Sequence, residues 1–204
     1  MFIVLLLTLT TSFALAAPLT SKVAQSLVQI YVASPNAPPE ATALCTGFSV
    51  RLHKFLTAAH CVEGFEKFPN SFIKVDGKPG TLLLADHQID LALVESNDVD
   101  KPVIKISSDL ARGDQVIAAG YGGGHYYPIF TTHVVESTNY SVSTHQAPGT
   151  LFVHPFQKGM SGGPIVNENG KVVSVVQASA QIFGFGANIS TIKSFLKRAG
   201  INHG

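Results

Sequence analysis

Apolar and polar residues alternate over short stretches along most of this chain, and turn-forming pairs separate the stretches. Residues 27–33, with Val28, Ile30, Tyr31 and Val32, form the first β-rich run, and the proline-rich stretch 34–39 ends it. Residues 44–52 and 54–58 read as a hairpin pair. Residues 72–75, 81–85 and 91–95 follow, with Asp76-Gly77 and Pro79-Gly80 as turn pairs between them. Residues 115–119, 131–136, 141–144 and 150–154 continue the pattern, and Ile165-Val166 and 171–177 flank the hairpin turn Asn167-Glu168-Asn169-Gly170. The polar stretch 96–113, which carries Pro102, is the natural connection between two groups of strands. Only the tail has a helical period: Ile192, Phe195, Leu196 and Ala199 recur at that spacing, Lys197 and Arg198 fall in the last turn, and Gly200 stops it. Many short strands at such spacing predict an all-β chain of barrel or sandwich type with one C-terminal helix.

Composition narrows the setting. Residues 2–15 are nearly all apolar or small and carry no charge, and Ala14-Leu15-Ala16 fits a small-x-small cleavage site. They predict a signal peptide over 1–16, a mature chain beginning at Ala17 and a secreted, extracellular protein. The run is shorter than a membrane span of about 20 residues, and no second run is long enough, so no stable membrane anchor is expected after signal removal. Residues 17–204 suffice to bury a core as one compact unit or two small lobes. A formal net charge of +1 gives no reason to expect nucleic acid as a partner. Two cysteines, Cys45 and Cys61, behind a signal peptide favour a disulfide.

Several other features lead away from ligands. The glycine-rich run at 120–124 lacks the Lys-Ser/Thr ending and the helix of a phosphate-binding loop. His53, His87, His125, His133, His145, His154 and His203 show no paired-ligand spacing, so neither a metal site nor a cofactor is expected. Asn139-Tyr140-Ser141 and Asn188-Ile189-Ser190 match the glycosylation sequon, the second in what reads as a strand.

Three segments carry chemistry: Leu56-Thr57-Ala58-Ala59-His60-Cys61, Asp90-Leu91-Ala92-Leu93 and Gly159-Met160-Ser161-Gly162-Gly163-Pro164. They supply an imidazole, a carboxylate and a hydroxyl. A serine hydroxyl is a poor nucleophile at neutral pH and needs an adjacent base, which a histidine provides because its pKa lies near working pH. An aspartate orients the imidazole and stabilises the imidazolium. Asp90 suits that role better than Asp86, because it runs directly into an apolar strand while Asp86 sits in what reads as a loop. Gly159 allows a backbone turn in which its own N–H and that of Ser161 converge on a developing oxyanion. Gly162 and Gly163 read as residues that let the chain pass close to substrate.

At these residues the chain resembles the trypsin-like serine peptidases, and within them the compact HtrA-like, bacterial and viral branches more than the digestive zymogens. The patterns T-A-A-H-C, D-[IL]-A-L and G-x-S-G-G-P are each complete, in the order His, Asp, Ser that separates this family from subtilisin-like and α/β-hydrolase enzymes. The resemblance implies two packed antiparallel β-barrels, about 25–100 and about 112–190, and a helix at about 190–200, with the site in the cleft between them. It implies a Cys45–Cys61 disulfide, catalytic residues His60, Asp90 and Ser161, and an oxyanion hole of the Gly159 and Ser161 N–H groups. Aligned on Ser161, the substrate pocket falls at Pro155 and Phe156, with Gln177 and Ser179 on one wall and Gly184 and Gly186 behind. With no aspartate at the pocket floor, a small or medium uncharged residue is expected before the cut.

Met160 stands where digestive members carry the aspartate that receives a new amino terminus, and no matching start follows the signal. Activation by that ion pair is therefore not expected. The function implied is a secreted serine endopeptidase acting on protein or peptide substrates through an acyl-enzyme. Two alternatives stay open at this stage: a binding protein of the same fold without turnover, and an enzyme that processes only itself.

Overall fold

Strands with one apolar face and free edges need partners on both sides, and closing a sheet on itself supplies them. In this protein that happens twice. The computed structural model describes residues 12–33, 43–107, 110–141 and 148–202, and the side chains from residue 19 onward within them. Residues 1–11 of the expected signal peptide, the expected loop 34–39 and residues 142–144 of an expected strand lie outside the described residues.

A helix α1 (Ser12–Ser26) leads into β1 (Leu27–Ala33), β2 (Ala43–Arg51) and β3 (Lys54–Thr57). A single 3-10 turn (Ala59–Cys61) and a short helix α2 (Glu63–Lys67) follow, then β4 (Phe72–Val75), β5 (Lys78–Asp86) and β6 (Leu91–Glu95). These six strands close in the order β1-β2-β3-β6-β5-β4. The second barrel comprises β7 (Gln115–Gly120), β8 (Ile129–Tyr140), β9 (Gly149–Val153), β10 (Pro164–Val166), β11 (Val172–Ala180) and β12 (Phe183–Ala187), closed as β10-β11-β12-β9-β8-β7. Helix α3 (Ile189–Arg198) ends the fold. All paired strands are antiparallel.

The alternation of the strands is accounted for by three apolar clusters. Val28, Ile30, Phe55, Ile73, Val75 and Val94 fill barrel one, and Val116, Val135, Phe152, Met160, Ile165 and Val173 fill barrel two. The third cluster is the seam between them. Leu27, Phe48, Leu56, Leu91 and Leu93 from barrel one meet Ala119, Val166, Val172 and Val175 from barrel two. Ile192, Phe195 and Leu196 of α3 and Val23 of α1 close over that seam. At roughly 25 cal/mol per Å² of apolar surface, such a seam is what fixes one barrel against the other. Gly200, at φ +72°, stops α3, with Ile201 N–H returning to Leu196 O at 2.8 Å.

The structure differs from the sequence reading at four places. Pro79-Gly80 is not a turn but lies inside β5. The hairpin turns at Asp76 and Gly77, both at positive φ, so that Val75 pairs with Lys78. Proline is tolerated there because β5 meets β6 only from Thr81 onward, leaving Pro79 without a ladder partner on that side. Asp86 ends β5 rather than sitting in a loop; its carboxylate accepts from Gln88 N–H at 3.1 Å and pairs with Arg198 at 2.6 Å. Asn188 is not in a strand: it caps α3, and its side chain accepts from Thr150 Oγ1 at 2.8 Å. Finally, α1 and α2 were given no element by the sequence pattern. No helix among the described residues is long and apolar enough to cross a membrane.

Candidate active site

His60 leaves the end of β3 on the 3-10 turn, behind Ala58 and Ala59, both fully buried. The disulfide Cys45–Cys61 ties that turn to β2. Asp90 closes the tight turn between β5 and β6 at φ +50°, a conformation that aspartate adopts more readily than most residues. Its carboxylate takes the His60 ring and backbone together: Oδ2 lies 2.9 Å from Nδ1, and Oδ1 accepts the His60 N–H at 2.9 Å. A carboxylate beside Nδ1 places the proton there, which leaves Nε2 as the free base. Burial pulls the imidazole pKa down most strongly of any single influence, but the Asp90 hydrogen bond, its charge and that of Glu63 together hold the pKa above its ordinary value.

Ser161 comes from barrel two. A ring nitrogen of His60 lies within 4.8 Å of the Cys61 sulfur, and that sulfur is 3.8 Å from the Ser161 carbonyl oxygen. The two barrels thus bring these residues into one neighbourhood. Among the described residues the Ser161 hydroxyl has no hydrogen-bond partner, so the imidazole and the hydroxyl are not yet joined. Catalytic hydrogen bonds are commonly long without substrate and tighten when it binds.

The turn before Ser161 is closed by Met160 N–H to Gln157 O at 3.1 Å, with Gly159 at φ +97°, the pattern of a type II turn. A Cβ on Gly159 would lie 2.4 Å from Tyr121 O. Lys158 C=O accepts from Gly123 N–H at 2.9 Å, and Met160 C=O from Gly163 N–H at 2.8 Å. In a trans peptide the N–H points opposite the C=O. Pinning those two carbonyls therefore fixes the directions of the Gly159 and Ser161 N–H groups, neither of which has an acceptor among the described residues. Two unspent donors flanking a serine are what an oxyanion requires.

Thr46 on β2 was not singled out by the sequence, yet each of its polar atoms is engaged. Its N–H donates to Ser161 O at 2.9 Å, and its hydroxyl donates to Gly159 O at 2.8 Å. The same hydroxyl accepts from Tyr121 N–H at 2.9 Å, and its carbonyl accepts from Thr57 Oγ1 at 2.7 Å. Only its place directly after Cys45 could have signalled this. Met160 is fully buried in the core of barrel two, so an apolar side chain anchors the turn at the position where the digestive peptidases that the chain resembles carry an aspartate. Gly162 and Gly163 serve close approach to the protein itself rather than to substrate. A Cβ on Gly163 would lie 2.2 Å from Ala119 O, and one on Gly162 would strike barrel one.

The expected pocket residues are divided. Phe156 is buried, its ring against Phe152 and His133 at centroid distances of 5.6 and 4.6 Å. Burial holds the His133 pKa below its ordinary value. A Cβ on Gly184 would lie 2.5 Å from the Phe156 ring, so that glycine makes room for it. Pro155 is exposed. Ser179 Oγ accepts from Phe156 N–H at 2.8 Å and donates to Phe156 O at 3.1 Å. Gln177, Ser179 and Gly186 line a cleft beside Asp90 instead. The Gln177 amide is spent across the seam, donating to Ile89 O at 2.6 Å and Asp90 O at 3.2 Å. The cluster Cys45, His60 and Cys61 has both sulfurs in the disulfide, so it presents no thiolate to a metal.

Paired six-stranded barrels with His, Asp and Ser in this chain order define the trypsin-like peptidases. The chain belongs to that family: residues 45–175 match the trypsin-like peptidase domain. Over 145 residues it is 27% identical to the serine protease Rv3671c of Mycobacterium tuberculosis, covering 66% of this chain and 36% of that protein. Over 175 residues it is 28% identical to the Do-like serine protease HtrA of Bacillus subtilis, covering 77% and 38%. A periplasmic DegP-like serine endoprotease of Hahella chejuensis is 29% identical over 144 residues, covering 69% and 30%. The chain thus spans well under half the length of these relatives. In fold it is similar to the active form of the Rv3671c protease, with a TM-score of 0.78 at 20% identity over 98% of this chain and 96% of that one. Deg5 gives 0.76 at 20% identity over 90% and 93%.

Proposed function

We propose that the protein is a secreted serine endopeptidase. The observation that carries this reading is the Asp90–His60 pair standing beside a serine whose flanking N–H donors are unspent. Ser161 Oγ attacks the scissile carbonyl while His60 Nε2 takes its proton. The Gly159 and Ser161 N–H groups receive the oxyanion. Collapse passes the proton from His60 to the leaving amine and leaves an acyl-serine. Water then repeats the sequence in reverse roles, and Asp90 holds the imidazole throughout. The residue before the cut is small or medium and uncharged, because Phe156 lies against Gly184 and no charge stands at Pro155. The apolar residues 2–15, the disulfide and the periplasmic relative support export, with a signal peptide over 1–16.

Labelling with a small uncharged organophosphonate tests the reading. One adduct is expected, on Ser161, in the native protein and none in Ser161→Ala. A native protein that stays unlabelled is a binding protein of this fold instead.

Two further results are expected. The His60 pKa is raised, so the imidazole keeps its proton to a higher pH and the base form is lost earlier on acidification. The acid limb of kcat/KM therefore falls above about pH 6.5, and a limb at or below that value counts against the pairing with Asp90. Thr46→Val removes the hydroxyl that holds Gly159 C=O and leaves Tyr121 N–H unsatisfied, at about 1–3 kcal/mol for each buried group. Steady-state kinetics should show kcat down about 10²-fold with KM little changed. Thr46→Ser, which keeps the hydroxyl, should recover most of the loss.

A further inference from the structure

Asp90 holds its carboxylate out from a strained position. Its φ of +50° is left-handed backbone, which a Cβ disfavours. It is also the last residue of the turn 87–90, since Asp86 and Leu91 face each other across β5 and β6. The grip of Asp90 on His60 therefore depends on what keeps that turn in one shape.

Three elements meet on it. Asp86 shapes the turn from within: its Oδ1 accepts the Gln88 N–H at 3.1 Å and the Ile89 N–H at 3.4 Å, in the manner of an Asx turn. Gln177 of β11 takes the carbonyls that follow, Ile89 O at 2.6 Å and Asp90 O at 3.2 Å. His87 Nε2 lies 2.7 Å from Glu66 Oε2 on α2, the helix that follows His60.

With Oδ1 engaged on the turn, Asp86 turns Oδ2 to α3, where Arg198 Nη2 donates to it at 2.6 Å. Burial pushes the Asp86 carboxyl up, but Arg198 and the Ile89 and Gln88 N–H groups hold it below its ordinary range, so it is ionised at working pH. Arg198 is itself steadied. Its guanidinium lies 5.7 Å from the centroid of the Phe195 ring, and Phe195 is fully buried in the seam. More than half of the Arg198 side chain is exposed, at 55%, so the pair adds little to stability. Its effect is on direction: it keeps the Asp86 carboxylate from rotating off the two N–H groups.

We infer that Asp86 is a positioning residue for Asp90, and that Arg198 of α3 holds Asp86 in the orientation that shapes the Asp90 turn. The C-terminal helix thereby reaches the His60–Asp90 pair without touching it. This role rests on the peptidase reading for its effect on turnover. A reacting group misplaced by about 1 Å loses up to about 10²-fold in rate.

The test compares Asp86→Ala, Asp86→Asn, Arg198→Ala and Arg198→Lys by two measures. One is steady-state kinetics over a pH series. The other is NMR titration of the His60 imidazole, which needs no turnover. Burial lowers the His60 pKa while Asp90 and Glu63 raise it, and His87 is paired with Glu66. In Asp86→Ala, kcat should fall about tenfold or more with KM within about twofold. The His60 pKa and the acid limb of kcat/KM should both move down, because Asp90 no longer holds the ring. Asp86→Asn keeps an oxygen for the two N–H groups and loses only the ion pair, so it should match Arg198→Ala, between the native protein and Asp86→Ala. Arg198→Lys, which keeps a cation, should recover towards native. Asp86→Asn as impaired as Asp86→Ala, or Arg198→Ala with native kcat and native His60 pKa, overturns the assignment. A lowered thermal midpoint with both measures native does the same. Should Asp86→Ala fail to fold, Arg198→Ala at an exposed side chain decides by the same measures. A native protein without turnover defeats the peptidase reading, while the His60 titration still judges the turn.

Discussion

Ser161→Ala is expected to lower kcat about 10⁶-fold on a peptide substrate, leaving only the residual rate that oxyanion donors and binding supply. The change removes one oxygen. Among the described residues that oxygen makes no hydrogen bond, so its loss leaves no partner unsatisfied. Thermal unfolding should therefore be unchanged while turnover disappears, and the two measurements together separate a nucleophile from a structural serine. A loss below about tenfold, well short of what removal of a nucleophile produces, would falsify the assignment of Ser161.

The second large effect is on folding. Gly162 sits at φ +80°, and a Cβ there would lie 2.2 Å from Thr57 Oγ1, 2.3 Å from Thr46 O and 2.7 Å from Ala58 N. Two of those atoms are backbone in barrel one, which cannot turn aside as a flexible side chain could. Gly162 N–H also donates to Val176 O at 2.8 Å, so retreat of the chain would break a bond in barrel two. Gly162→Ala is expected to cost at least about 3 kcal/mol, strain and overpacking combined. Gly113 supplies the control: at φ +90° with nothing within 4 Å of the added atom, Gly113→Ala carries only backbone strain of about 1–2 kcal/mol. Denaturant midpoints of the two variants would decide; equal shifts would mean that the seam contact at 162 contributes nothing.

The motifs were legible because each is continuous in the chain. His60, Asp90 and Ser161 lie in short segments whose neighbours are constrained by the same chemistry. The strands were legible where alternation is clean, as in Leu27–Ala33 and Leu91–Glu95. What local pattern could not show is what the seam decides. Thr46 reads as an ordinary strand threonine, and only folding places its hydroxyl between Gly159 and Tyr121. Gln177 reads as a polar contact for substrate, but its amide is used on the Asp90 turn from the opposite barrel. Pro79-Gly80 carries the composition of a turn, yet the neighbouring Asp76-Gly77 takes the left-handed backbone that a two-residue hairpin demands.

Met160 has one more implication. An amino group that grips a carboxylate lets go when alkali removes its proton, at about pH 8 for an α-amine. A thioether sealed inside barrel two has no proton to lose. The anchor of this turn is therefore indifferent to alkaline titration.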